Sequence, residues 1–337
     1  MSGRAGCVTV DLVANGGAPA VLGQRALGVL LALLLTAACA GPFPAAAPMR
    51  VPSARIVART QVEGRIWDLM VDSPAVGASV PVRVLLPVRF AAAPESRWPV
   101  LYLLHGCCDS LVSWTRSTDV EPLTRPADVL VVMPEGGRAG FYSDWRSGPA
   151  WETFHTVELP ALLAAEYRAG DRQAVAGVSM GGLGALSYAA RHPGRYAVAV
   201  SISGVVHTRL SPATSQNYLG LIRAQGGDPL ALWGDPVADA TVWAQHNPTD
   251  LAPRLAGVRL FVSSGSGQPG PLDAPGTSVD RIEGSIGAQN QAFAERLRAD
   301  GADVVLDLYG AGTHTWAYWQ QELHRAWPLI AAGLGAV

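Results

Sequence analysis

The feature that most restricts this chain is Gly177-Val178-Ser179-Met180-Gly181, extended by Gly182 and set between a short apolar run and an Ala/Leu-rich segment. Residues 173–178 read as a buried strand and the segment after Gly182 as a helix. Gly-x-Ser-x-Gly alone arises easily by chance in a chain with 37 glycines. Between a strand and a helix it describes a tight turn that holds a serine hydroxyl outward. Side chains at the flanking glycines would collide with neighbouring elements. The helix beginning at that turn offers free N–H groups and a field that favours developing negative charge.

The rest of the chain repeats the alternation. Residues 65–71 alternate in polarity, and residues 80–87 follow as a candidate hairpin partner. Residues 99–104 and 129–133 are continuous apolar runs, as expected of buried parallel strands. Further strands are expected at 197–202, 258–262 and 304–308. Helices are expected at 153–167, with Leu159, Leu162 and Leu163 on one face, and at 316–332. This order implies a mostly parallel sheet covered on both faces. With the serine turn it reads as an α/β-hydrolase fold. Residues 204–257, rich in Pro, Asp and Trp, lack a strand and are expected to form a helical cap over one end of the sheet. There is no internal repeat, and residues 51–337 read as one catalytic domain.

A serine hydroxyl needs a base to take its proton. Of seven histidines, His314 lies just after the last expected strand and before the last helix, where this fold carries its base. His192 and His246 read as cap or turn residues, and His324 as a surface residue. The acid should follow the strand ending near Val262; by position Asp273 and Glu283 are equal candidates, with Asp280 in the same window. Two backbone N–H groups are needed for an oxyanion. Met180 follows the nucleophile, and Cys107 follows the strand that ends at His105-Gly106. His105 reads as a residue that shapes the loop. A disulfide between neighbours is strained and rare, so Cys107 and Cys108 are expected as two thiols in a buried loop.

Composition removes other classes. The net charge is -2, and no basic stretch carries interleaved aromatics, so no nucleic-acid partner is expected. No Cys/His cluster has zinc spacing, and neither metal nor cofactor is implied. Residues 26–38 are apolar, follow Arg25 and lead into Ala38-Cys39-Ala40 and a Pro/Ala-rich stretch. Residues 1–50 therefore read as an export signal and linker of a secreted or envelope-associated protein. The apolar run is short for a membrane span. The long segment before it is also consistent with translation starting nearer Val21. Thr36-Ala37-Ala38-Cys39 resembles a loose lipobox, which would make Cys39 a lipidation site.

From residue 99 onward the chain resembles the antigen 85 mycolyltransferases and their esterase D-like relatives. The likeness rests on Tyr102-Leu103-Leu104, Phe141-Tyr142-Ser143-Asp144-Trp145, Trp151-Glu152-Thr153-Phe154, Glu158-Leu159-Pro160 and Val178-Ser179-Met180. It continues through Leu232-Trp233-Gly234, His246-Asn247-Pro248 and Gly312-Thr313-His314-Thr315-Trp316, with Tyr318-Trp319. That family uses a glutamate followed by Gly and then by Asn-Gln-x-Phe. Glu283-Gly284 and Asn290-Gln291-Ala292-Phe293 match it, so the resemblance implies Glu283 as the acid, and it supports Cys107 and Met180 as oxyanion donors. Where the mycolyltransferases carry an Asp and an Arg that help bind trehalose, this chain has His105 and Cys108. The resemblance therefore implies the acyl chemistry without that trehalose site.

The reading is a secreted serine esterase forming an acyl-enzyme on Ser179, with an ester or acyl lipid as substrate and Trp316 against it. Acyl transfer to a sugar or glycolipid acceptor of the cell envelope is the second reading. A non-catalytic carbohydrate- or matrix-binding protein is the alternative from another class.

Overall fold

The computed structural model describes residues 53–336. The expected export signal, linker and Cys39 lipidation site lie outside them. The described residues form a nine-stranded sheet in the order β1-β2-β3-β5-β4-β6-β7-β8-β9. The strands are β1 Arg55–Glu63, β2 Ile66–Ser73, β3 Ala78–Leu85, β4 Trp98–Leu104, β5 Leu130–Pro134, β6 Ala169–Val178, β7 Val198–Ile202, β8 Arg259–Gly265 and β9 Val304–Gly310. β1 to β3 form an antiparallel meander that joins antiparallel to β5. From β5 through β4, β6, β7 and β8 to β9 every pairing is parallel. The apolar runs of β4, β5, β6 and β7 are buried because both faces of this part of the sheet are covered.

The longer helices are α1 Leu159–Glu166, α2 Met180–Arg191, α3 Pro212–Ala224, α4 Arg281–Ala299 and α5 Trp316–Leu334. Two buried clusters flank the sheet. One centres on Val82, Tyr102, Leu183 and Phe293; the other, under α5, centres on Leu103, Val200, Phe261 and Ile330. The strand-free stretch after β7 forms α3 and three short helices, Pro229–Trp233, Ala240–Gln245 and Pro248–Leu251.

Two departures from expectation have physical causes. β1 was not expected; almost every residue in it is exposed on both faces, so it carries no alternation to read. The single helix expected at 153–167 is broken: Trp151–Thr153 leads into a π-turn at Phe154–Glu158 before α1 begins. Pro160 has no N–H to give the Thr156 carbonyl, and Arg195 donates to that carbonyl instead.

Candidate active site

β6 delivers Ser179 and α2 leaves it. Ser179 sits at φ 55° and ψ -117°, a costly backbone conformation for a residue with a side chain. It is held there by its N–H donating to Ile202 O at 3.0 Å and by its carbonyl accepting from Gly182 at 3.0 Å and Val205 at 3.1 Å. An added Cβ at Gly177 would overlap the Gly181 carbonyl, and one at Gly181 would overlap the Leu104 carbonyl. The turn can close only with glycine at both places.

His314 lies between β9 and α5. Its Nδ1–H donates to Glu283 Oε2 at 2.6 Å, and its Nε2 accepts from the Ser179 hydroxyl at 3.0 Å. Its ring stands edge-on to Trp319, with centroids 4.8 Å apart. Two aspartates hold its loop. The His314 N–H donates to Asp280 Oδ2 at 2.9 Å, and the Thr313 hydroxyl donates to Asp273 Oδ1 at 2.5 Å. Asp273 is further engaged by Tyr318 and by the Gly270 N–H, so it braces the loop while Glu283 meets the imidazole.

Glu283 lies in the first turn of α4 and is fully buried. Besides His314, the Gly265 N–H reaches its Oε1 at 2.6 Å and the Ser203 hydroxyl reaches it at 2.8 Å. Asp280 caps α4 through the N–H groups of Ile282 and Glu283. Burial works against ionisation of Asp280, but the N–H groups of His314, Glu283 and Ile282 outweigh it and hold the carboxyl below its ordinary range. The sequence placed Asp280 in the right window without its role; an Asp three positions before a helical Glu is the capping signal that would have found it. Nothing in the sequence pointed to Ser203. The Asn290 amide donates to Gly204 O and fully buried Phe293 packs into the core, so that string seats α4 against the sheet.

The N–H groups of Cys107 and Met180 find no backbone acceptor among the described residues. Both residues line a pocket of about 480 Å³ together with Ser179 and His314. α3 and α4 supply its walls, mainly through Tyr218, Leu221, Ile282 and Ile286, and Phe141 and Val205 add to its apolar character. Beneath it His105 is fully buried: its Nδ1–H donates to Gly106 O at 2.8 Å and its Nε2 accepts from the Gly136 N–H at 3.0 Å. The Tyr142 hydroxyl donates to His105 O at 2.9 Å and ties the Phe141-Tyr142 string to the same loop.

Two expectations are corrected. Trp316 is not part of the pocket wall; it packs edge-on against Trp114 and Trp319, with centroids 5.3 and 4.9 Å away. It starts α5, is half-buried, and packs against the cluster under that helix. Cys107 and Cys108 are bonded to each other rather than standing as two thiols. Cys108 adopts φ 68°, an uncommon conformation for a residue with a side chain. His192 pairs with Glu152, His246 stacks on Trp233, and His324 is an exposed partner of Asp119.

A family model described as "Putative esterase" matches residues 73–330. The chain belongs to that family. The chain is 32% identical over 283 residues to the diacylglycerol acyltransferase/mycolyltransferase Ag85B of Mycolicibacterium smegmatis, covering 79% of this chain and 85% of that protein. The solved structure of Mycobacterium tuberculosis MPT51 superposes with a TM-score of 0.67 at 27% identity, over 79% of this chain and 97% of the other. An S-formylglutathione hydrolase from Agrobacterium tumefaciens shares the fold, with a TM-score of 0.65 at 19% identity, over 83% of this chain and 99% of the other. The esterase family and the antigen 85 likeness expected from the sequence both stand.

Proposed function

We propose that this member of the esterase family is a serine esterase that works through an acyl-enzyme on Ser179. The observation that carries the reading is the relay of hydrogen bonds from the Ser179 hydroxyl through His314 to Glu283, opening into an apolar pocket. His314 Nε2 takes the hydroxyl proton as Ser179 Oγ attacks the ester carbonyl. Glu283 fixes the tautomer that leaves Nε2 free and stabilises the imidazolium that forms. The N–H groups of Cys107 and Met180 receive the oxyanion, each worth about 3 kcal/mol in the transition state. The C–O bond to the alcohol breaks, and the alcohol leaves with the proton from His314. Water, deprotonated by the same imidazole, then releases the acid and restores Ser179.

Acyl transfer is the second reading, favoured by the identity to a protein named as an acyltransferase and mycolyltransferase over 79% of this chain. There a sugar or glycolipid hydroxyl replaces the water. Residues 1–50 would carry the protein out of the cell to such acceptors, with Cys39 as a lipid anchor if that residue is acylated. The remaining reading, a carbohydrate- or matrix-binding protein without activity, would leave the relay without a purpose.

The test is a fluorophosphonate probe and p-nitrophenyl esters of graded chain length, applied to the wild type and to Ser179→Ala, with and without a sugar acceptor. Labelling and turnover present in the wild type and lost in Ser179→Ala are the expected result. Acyl sugar in place of free acid assigns the transferase. A wild type that neither labels nor turns over any ester leaves the binding reading standing.

A further inference from the structure

Two bonded sulfurs stand in the wall of the catalytic pocket. Cys107 and Cys108 line it with Ser179 and His314, and both are half-buried. A disulfide between adjacent residues closes a small ring that contains the peptide joining them. The ring begins one atom from the Cys107 N–H, one of the two groups proposed to hold the oxyanion. On its far side, Cys108 sits at φ 68° and its N–H donates to Arg138 O at 2.9 Å. With the ring opened, that hydrogen bond and a longer one across the turn, from the Asp109 N–H to Gly106 O at 3.4 Å, are left to hold Cys108 in a conformation that side chains disfavour. The loop has little slack toward the nucleophile, because a Cβ built on Gly106 would lie 3.3 Å from Ser179 Cβ. A small turn of the Cys107 peptide therefore moves its N–H relative to Ser179 Oγ.

We propose that Cys107 and Cys108 form a thiol–disulfide exchange site inside the catalytic pocket, open to small-molecule thiols, whose oxidised form presents the Cys107 N–H to the substrate. The proposal rests on the esterase reading of the pocket. In the exchange, a thiolate attacks one sulfur of the pair, the bond between the two cysteines breaks, and the released cysteine sulfur takes a proton. A second small thiol then attacks the mixed disulfide. It frees the other cysteine and leaves as the oxidised thiol, so that two electrons and two protons pass from two small thiols to the pair. Release of the ring frees both cysteine side chains to rotate and lets the Cys107 N–H drift from the carbonyl it must meet.

The experiment treats the purified full chain with dithiothreitol under native conditions and removes the reagent anaerobically. Peptide mapping after alkylation locates the new thiols, which separates this pair from Cys7 and Cys39. Turnover of a p-nitrophenyl ester is then measured, and measured again after re-oxidation with glutathione disulfide. The expected result is alkylation at both positions, a fall in kcat of about 10- to 100-fold, as for a displaced oxyanion donor, and recovery on re-oxidation. The double variant Cys107→Ser, Cys108→Ser is expected to be slow from the start and indifferent to either reagent; the reversible wild-type cycle carries the test if that variant does not fold. A pair that reduces with kcat unchanged overturns the proposal, as does one that dithiothreitol reduces only after denaturation. Fluorophosphonate labelling of untreated enzyme separates the two readings. Labelling at Ser179 with redox-insensitive turnover sinks the exchange site alone, whereas no labelling sinks the esterase reading and this one with it.

Discussion

A fully buried carboxylate is tolerable at position 283 because three donors converge on it, from His314, Gly265 and Ser203. That arrangement makes two substitutions informative. Glu283→Gln replaces one acceptor oxygen with an NH₂ group, which then faces a donor. Its kcat is expected to fall by roughly 10³- to 10⁴-fold, as when a triad acid is made neutral, and its urea midpoint to drop with a loss of about 1–3 kcal/mol. Ser203→Ala removes one donor and leaves the other two. It is expected to cost about 1 kcal/mol in stability and to keep most of the turnover. If both variants lost turnover equally, Ser203 would matter to the chemistry itself and not only to the seating of Glu283. Asp280 acts one step further out, capping α4 and accepting from the His314 N–H. Asp280→Ala is therefore expected to lower stability by about 1–2 kcal/mol and kcat along with it, measured by denaturation and steady-state turnover.

At the scale of elements, the turn into α2 depends on two glycines that face backbone carbonyls. Carbonyls cannot rotate away as a flexible side chain would. Gly181→Ala is expected to cost at least about 2 kcal/mol through overpacking and to abolish fluorophosphonate labelling; a variant of wild-type stability would show that the turn relaxes more easily than the geometry implies. The same turn explains why so much was legible in the sequence. Strands β4 to β7 are apolar runs because both sheet faces are covered, and Ser179 and Met180 sit at the end of such a run, while His314 follows the edge strand β9. The illegible parts have separate causes. β1 is exposed on both faces, so no periodicity marks it. The acid was undecided between Asp273 and Glu283 on position alone, because each comes after β8 and only the seating of α4 brings one of them to the imidazole. Trp316, expected among the aromatics that shape the pocket, packs against Trp114 and Trp319. The state of Cys107 and Cys108 depended on a left-handed backbone at Cys108 that composition does not signal.

Across the whole molecule, one buried acid stands apart from the site. Glu322 on α5 is pushed up to about 7 by burial, with the Asp307 carboxylate adding to the rise and Arg325 opposing it; Tyr309 lies within reach of the same charge. Its folded value lies above its ordinary 4.5, so between the two the folded protein keeps a proton that the unfolded chain has released. Stability is therefore expected to decline as pH rises through that window. Glu322→Gln should flatten the decline and be more stable at pH 8 by on the order of 1 kcal/mol, allowing for solvent screening. Thermal melts from pH 4 to 8 would read this out, and parallel curves for the two proteins would remove Glu322 as the cause. The order of the proposed catalytic groups along the chain bears on its synthesis. Ser179 and His314 are 135 positions apart, and His314 comes after β9, which pairs only with β8 at the rim of the sheet. A ribosome making this chain releases the nucleophile long before its base. On the proposed reading, the serine stays without its base until β9 and the loop after it have been made and have docked on β8.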